Sequence, residues 1–111
     1  MAFEALEVAV ELAESLGEPL RRLEQHDREL AAQARRATTS VALCLGEGQR
    51  RQGKDRLHLF RVAAGSAAEV RTALRVAVAW GYVSTDSVSR PTALLDRVAA
   101  MLWRLAPPRV P

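Results

Sequence analysis

Apolar residues recur every three or four positions through four stretches of the chain, and glycine, proline or serine marks the breaks between them. That spacing predicts helices that each bury one face. The first stretch covers 3–25. Phe3, Leu6, Val10, Ala13 and Leu20 form its stripe, widened by Leu12, Leu16 and Leu23, while Glu4, Glu7, Glu11 and Glu14 share a solvated face. Gly17 and Pro19 interrupt it. A proline inside a helix removes a hydrogen bond, so a kink or split is expected there. The second stretch, 27–47, opens on Asp27 as N-cap and carries Leu30, Ala34, Ala37, Val41 and Cys44 or Leu45. Gly46 and Gly48 are expected to stop it. After a loop over about 48–54, Asp55 is expected to cap a third helix, 55–80, with the stripe Leu57, Phe60, Ala64, Ala67, Leu74 and Ala77. The string Ala63-Ala64-Gly65-Ser66-Ala67 suits a close approach by a neighbouring backbone. The fourth stretch, 88–105, has Pro91 in its first turn and Leu95, Val98, Leu102 and Leu105 as its seam. The Pro-rich end, 107–111, is expected to be a frayed tail.

Four amphipathic segments with short connections predict one all-α domain over 1–106, an antiparallel up-down-up-down four-helix bundle. Extra Leu, Val or Met beside the stripes of the first, third and fourth helices points to a second buried surface. A contact between subunits is the simplest occupant, so a homo-oligomer is expected.

Composition sharpens this picture. Of 111 residues 49% are hydrophobic but only 5% aromatic, and isoleucine is absent. Leu, Val and Ala must therefore build the core, which suits closely packed helices and argues against strands. The one cysteine, Cys44, sits in an apolar stretch and reads as a buried free thiol. A reducing, cytoplasmic setting fits it. The glutamate-rich start does not resemble a secretory signal, and no apolar run is long enough for a membrane span.

Gly48, Gly53 and Lys54 stand in the order G-x-x-x-x-G-K, the spacing of a phosphate-binding loop. Such a loop needs a strand before it and a Ser or Thr after the lysine. Here the preceding segment has helical spacing and Asp55 follows, a carboxylate that would repel phosphate. A helix stop and a turn explain the glycines better. His26 and His58 are isolated and lack companion ligands, so no metal is expected. No persuasive nucleophile and base coincide, so neither a catalytic set nor a cofactor is expected. Glu47 and Glu69 interrupt small or apolar sequence. They are read as partly buried carboxylates in inter-helix ion pairs with Arg35, Arg36 or Arg50.

Charge is spread unevenly. Residues 1–30 hold three Arg against seven Glu and one Asp, a net −5. Residues 31–79 hold eight Arg and one Lys against two Glu and one Asp, a net +6. Either the acidic first helix neutralises its basic neighbours, or the middle of the chain meets an acidic partner. Arg35, Arg36, Arg50, Arg51, Lys54, Arg56 and Arg61 form the basic run. With so few aromatics, nucleic-acid binding through it would be backbone-driven and salt-sensitive. The first six are the candidate contacts.

Read together, "DRELAAQARRATTSVALCLGEG", "LFRVAAGSAAEVRTAL" and "WGYV" resemble a family of small bacterial helical proteins. It includes those encoded in intervening sequences of 23S rRNA genes and the accessory variability protein of diversity-generating retroelements. The shared pattern falls on Gln33, Arg35, Arg36, Ala37, Ser40, Glu47, Gly48, Phe60, Ala64, Gly65, Ser66, Glu69, Gly81 and Tyr82. Cys44 stands where the family usually has Asn, Ala34 where it has Leu, and Gly46 where it has Ala. The resemblance implies an up-down-up-down bundle, a ring-shaped homopentamer and no enzyme activity. Its retroelement branch implies binding to a reverse transcriptase and its RNA. Residues and resemblance together give the expected function: a non-catalytic accessory protein whose basic surface binds RNA or a protein–RNA complex. The alternative is a protein–protein adaptor with no nucleic-acid role. Neither a membrane nor a small-molecule substrate is expected.

Overall fold

In the computed structural model, which describes residues 3–108, the protein is all-α, and no strand occurs among the described residues. Five α-helices follow in order: α1 Glu4–Ser15, α2 Gly17–Glu24, α3 Arg28–Gly48, α4 Gly53–Ala79 and α5 Ser89–Leu105. A short 3-10 turn, Asp86–Val88, leads into α5. The expected tail lies mostly outside the described residues.

The first rod divides where Gly17 and Pro19 stand. Leu16 closes α1 by donating its N–H to the carbonyls of Leu12 and Ala13, and its own carbonyl then accepts from Leu20 N. Pro19 falls in the first turn of α2, where a missing N–H leaves no hydrogen bond unmade. The buried stripe of α1 is Ala5, Val8, Ala9 and Leu12. Val10 is 45% exposed and Ala13 is also exposed, so the expected stripe is rotated by about one position.

α3 opens as its sequence dictates. The Asp27 carboxylate accepts the Leu30 N–H at 2.9 Å. The far end differs from expectation. Gly46 and Gly48 both lie inside the helix, and the left-handed turn falls on Gly53, at φ +59°. The connection is thus only Gln49–Gln52, and Asp55 sits within the first turn of α4 instead of capping it. α4 ends at Ala79, and Gly81, φ +75°, turns the chain just beyond its cap Trp80. There Gly81 N donates to Val78 O and Tyr82 N to Ala77 O, both at 2.9 Å, the paired bonds of a Schellman stop.

α3 packs along α4, α4 against α5, α5 against α1, and α1 and α2 against α3, so the four rods close a circuit around one core. Leu12, Leu16, Leu23, Leu45, Leu95 and Leu102 fill it with Val8, Val41, Val70 and Val98, all almost wholly shielded. Ala31, Ala34 and Ala63 are fully buried, small residues that let neighbouring rods approach. Leu105, expected in the seam of α5, is 36% exposed, and Ala106 is buried in its place.

Candidate functional site

The six candidate cations occupy two places. Arg35 and Arg36 lie in the middle of α3. Arg50, Arg51, Lys54 and Arg56 surround the α3–α4 turn, and all six are exposed. At 1.5 Å per helical residue, Arg36 stands roughly 18 Å along α3 from Gly48, beyond which the turn cations begin. Arg36 and Leu43, seven residues apart, share one face of α3, and Leu43 is 66% exposed.

Three of the six have work within the fold. Arg35 Nη1 donates to Glu24 Oε2 at 2.8 Å and joins α3 to α2. That hydrogen bond and the charge of Arg35, with Arg28 adding to it, hold the Glu24 carboxyl below its ordinary range. Arg51 pairs with Glu47 at 2.7 Å and reaches Asp55 at 4.0 Å. Arg56 donates to the carbonyls of Gly48 and Gln49, at 3.2 and 2.9 Å. It thereby ties α4 to the carbonyls that close α3; Gly48 O also accepts the Arg51 N–H at 3.0 Å. The sequence carried no signal for that role. Arg36, Arg50 and Lys54 form no ion pair among the described residues, and of the six candidates they are the ones left without a partner.

Three expectations need correction. Glu47 is exposed, and its partner is Arg51 on the next helical turn, not Arg35, Arg36 or Arg50. Glu69 is exposed on α4 and makes no ion pair among the described residues. Neither is a buried inter-helix carboxylate: both lie on the solvent side of their helices, while Gly48 and Val70 next to them are buried. Cys44 is half-buried, not fully buried, with its Sγ 3.8 Å from Ser40 Oγ. Ser40 Oγ in turn accepts from Ser66 Oγ at 2.9 Å, a polar link between α3 and α4. The shallow cavity beside Cys44 is lined by Arg35, Arg36, Thr39, Ser40 and Leu43, and includes neither Glu47 nor Glu69.

The two ends of the charge asymmetry also part company. Glu4 and Glu11 of α1 face Arg97 and Arg90 of α5, at 3.8 and 3.6 Å. Apart from Glu24–Arg35, the acidic amino-terminal segment therefore leaves the basic middle of the chain alone. Two further features lie outside the basic run. A groove of about 390 Å³ between α4 and α5 is lined mainly by Ala64, Ala67, Leu102, Trp103 and Arg61. The ring of Tyr82 stacks on both His26 and Trp80. The linear sequence hides that contact, because His26 and Tyr82 belong to different connections. Among the described residues no group of three or more His, Cys, Asp or Glu side chains could hold a metal ion, and no helix is long and apolar enough to cross a membrane.

These features define a small helical protein with an exposed, only partly neutralised basic face. The family described as 23S rRNA-intervening sequence protein matches residues 2–104, nearly the whole chain, and the protein belongs to that family. Among solved structures, it is similar to a protein of unknown function from the S23 ribosomal protein family of Bacteroides thetaiotaomicron VPI-5482. The two are 16% identical with a TM-score of 0.83, over 94% of this chain and 99% of the other. That likeness is one of fold. No curated protein matches the chain.

Proposed function

We propose that this protein is a non-catalytic accessory factor that binds RNA, alone or within a protein–RNA complex, through the α3 face and the α3–α4 turn. The carrying observation is that Arg36, Arg50 and Lys54 stay exposed and unpaired among the described residues, while their neighbours hold the fold together. Exposed cations on a rigid helix and a tight turn suit phosphates, and they read no bases. The rods are taken as an up-down-up-down four-helix bundle working in the cytoplasm without a cofactor. Filter binding of generic RNA at about 50 and about 200 mM salt is the test. Retention at low salt and loss at high salt are expected; no retention at low salt contradicts the proposal.

The same reading includes self-association into a ring-like homo-oligomer, a pentamer by family resemblance. Gly65 supports it. A Cβ there would meet nothing within 4 Å, yet the interior of α4 keeps glycine at an exposed position, at a cost of about 1 kcal/mol. A second copy approaching closely would account for that. Light scattering after size exclusion tests it, and a monomer contradicts it.

A second reading, a protein adaptor, is favoured by the apolar α4–α5 groove with the exposed Trp103. Capture of a defined protein partner that survives nuclease, with no RNA retained at low salt, would select it.

A further inference from the structure

At the end of α3 remote from the basic turn, three aromatic rings lie nearly parallel. His26 and Tyr82 have centroids 5.1 Å apart and planes 8° apart; Trp80 and Tyr82 have centroids 6.5 Å apart and planes 19° apart. Tyr82 is half-buried against the core, while His26 is exposed and Trp80 is 70% exposed.

The backbone places the residues that carry these rings. Tyr82 is held by its own N–H in the Schellman stop of α4. His26 N and Asp27 N both donate to Leu23 O, at 2.9 and 2.8 Å, and the Asp27 carboxylate is occupied in capping α3. An ordered row of rings with an exposed indole at one end and an exposed imidazole at the other is preorganised for a further flat ring.

The surrounding charge selects which flat ring. Arg22 and Arg28 flank His26 in sequence, are exposed, and form no ion pair among the described residues. Of the acids close by, Glu24 is engaged by Arg35 and Asp27 by the Leu30 N–H, which leaves Glu29 and Asp86 against the two arginines. Arg28 and Arg35 are seven residues apart and share a face of α3, beside Arg36. Arg28, Arg35 and Arg36 therefore place cations on the amino-terminal half of α3, on the side of the aromatic row; residues 37–49 carry none, and the basic turn lies at the far end of the helix. Cations beside an exposed aromatic face match the two requirements of single-stranded nucleic acid, phosphate neutralisation and base stacking.

We propose that Trp80, Tyr82 and His26 form a stacking platform for unpaired bases of single-stranded RNA. It extends the phosphate-binding face of α3 to the amino-terminal end of that helix. The inference rests on the RNA reading above, and it adds preference for unpaired over duplex RNA, which presents no free base face.

The test uses the full chain carrying Trp103→Phe, so that Trp80 is the sole indole, with an oligouridylate of about ten nucleotides. Binding should quench Trp80 emission. Trp80→Ala should weaken binding about 5- to 150-fold with the salt slope unchanged, Trp80→Phe should restore most of it, and an abasic oligomer should bind both proteins alike. Circular dichroism checks that the variants keep their helices. If Trp80→Ala binds as the parent does while replacement of Arg36, Arg50 and Lys54 weakens binding, the platform is wrong and the RNA reading stands. If the parent binds no oligomer at low salt, both fail. A Trp80 emission shift with protein concentration alone, lost together with self-association in Trp80→Ala, would make the rings a subunit contact and overturn the platform.

Discussion

Phe60 rests directly on Gly48: a Cβ built on Gly48 would lie 2.6 Å from Phe60 Cε1 and 2.8 Å from Cδ1. The glycine before the basic turn is therefore a packing residue. It lets the first turns of α4 close against the last turn of α3, with Phe60 buried and stacked on Phe3 at 6.0 Å. Gly48→Ala should destabilise the fold by about 1–3 kcal/mol, as overpacking does. Chemical denaturation checks this. In a double-mutant cycle with Phe60→Leu the two costs should fall short of their sum, because the smaller side chain makes room for the methyl group.

Gly46 should behave in the opposite way. It lies inside α3 with helical backbone, and a Cβ would meet only Leu6 Cδ2, at 4.0 Å. Gly46→Ala should stabilise the protein by about 1 kcal/mol, the difference in helix propensity, read as a higher denaturation midpoint.

Among the described residues, Asp27 makes the only side-chain cap hydrogen bond at the start of an α-helix. Asp27→Ala should cost about 1 kcal/mol, and Asp27→Ser should recover most of it. Thermal melts of the three proteins decide the point.

The Glu24–Arg35 pair sets a pH dependence. Arg35 lowers the folded-state pKa of Glu24, so the unfolded chain takes up the proton first as pH falls. The resulting stability is fully present above the ordinary carboxylate range and is lost as pH drops through the folded value. The pair is solvent-exposed, so the effect is small. Glu24→Gln should lower stability slightly near neutral pH, and the gap to the parent should close in acid. A gap that widens in acid would contradict the assignment.

Much of this fold was legible because helical periodicity and end signals agree. Asp27 caps where its position predicts, and Gly17 and Pro19 divide the first rod. What failed was the meaning of individual residues. Gly48 reads as a turn glycine, but a turn glycine and a packing glycine look alike in sequence, and only Phe60, twelve residues on, tells them apart. The true left-handed position, Gly53, was hidden in the same short string. Glu47 and Glu69 look buried because their neighbours are small or apolar, yet a helix turns about 100° per residue, so an exposed carboxylate can stand beside the buried Gly48 or Val70. The basic run was legible as composition but not as a site. Which arginines already had partners depended on Glu24 in α2 and on carbonyls at the end of α3.

The central claim is that, within the basic run, Arg36, Arg50 and Lys54 are the cations that bind phosphate. RNA affinity of the parent, of the Arg36→Ala/Arg50→Ala/Lys54→Ala variant and of Glu69→Gln as a control, titrated across salt concentration, tests it most directly. The triple variant should bind more weakly at low salt, with a salt slope shallower by about 2, while Glu69→Gln keeps the parent's slope. A triple variant that binds RNA with the parent's affinity and slope would contradict the account.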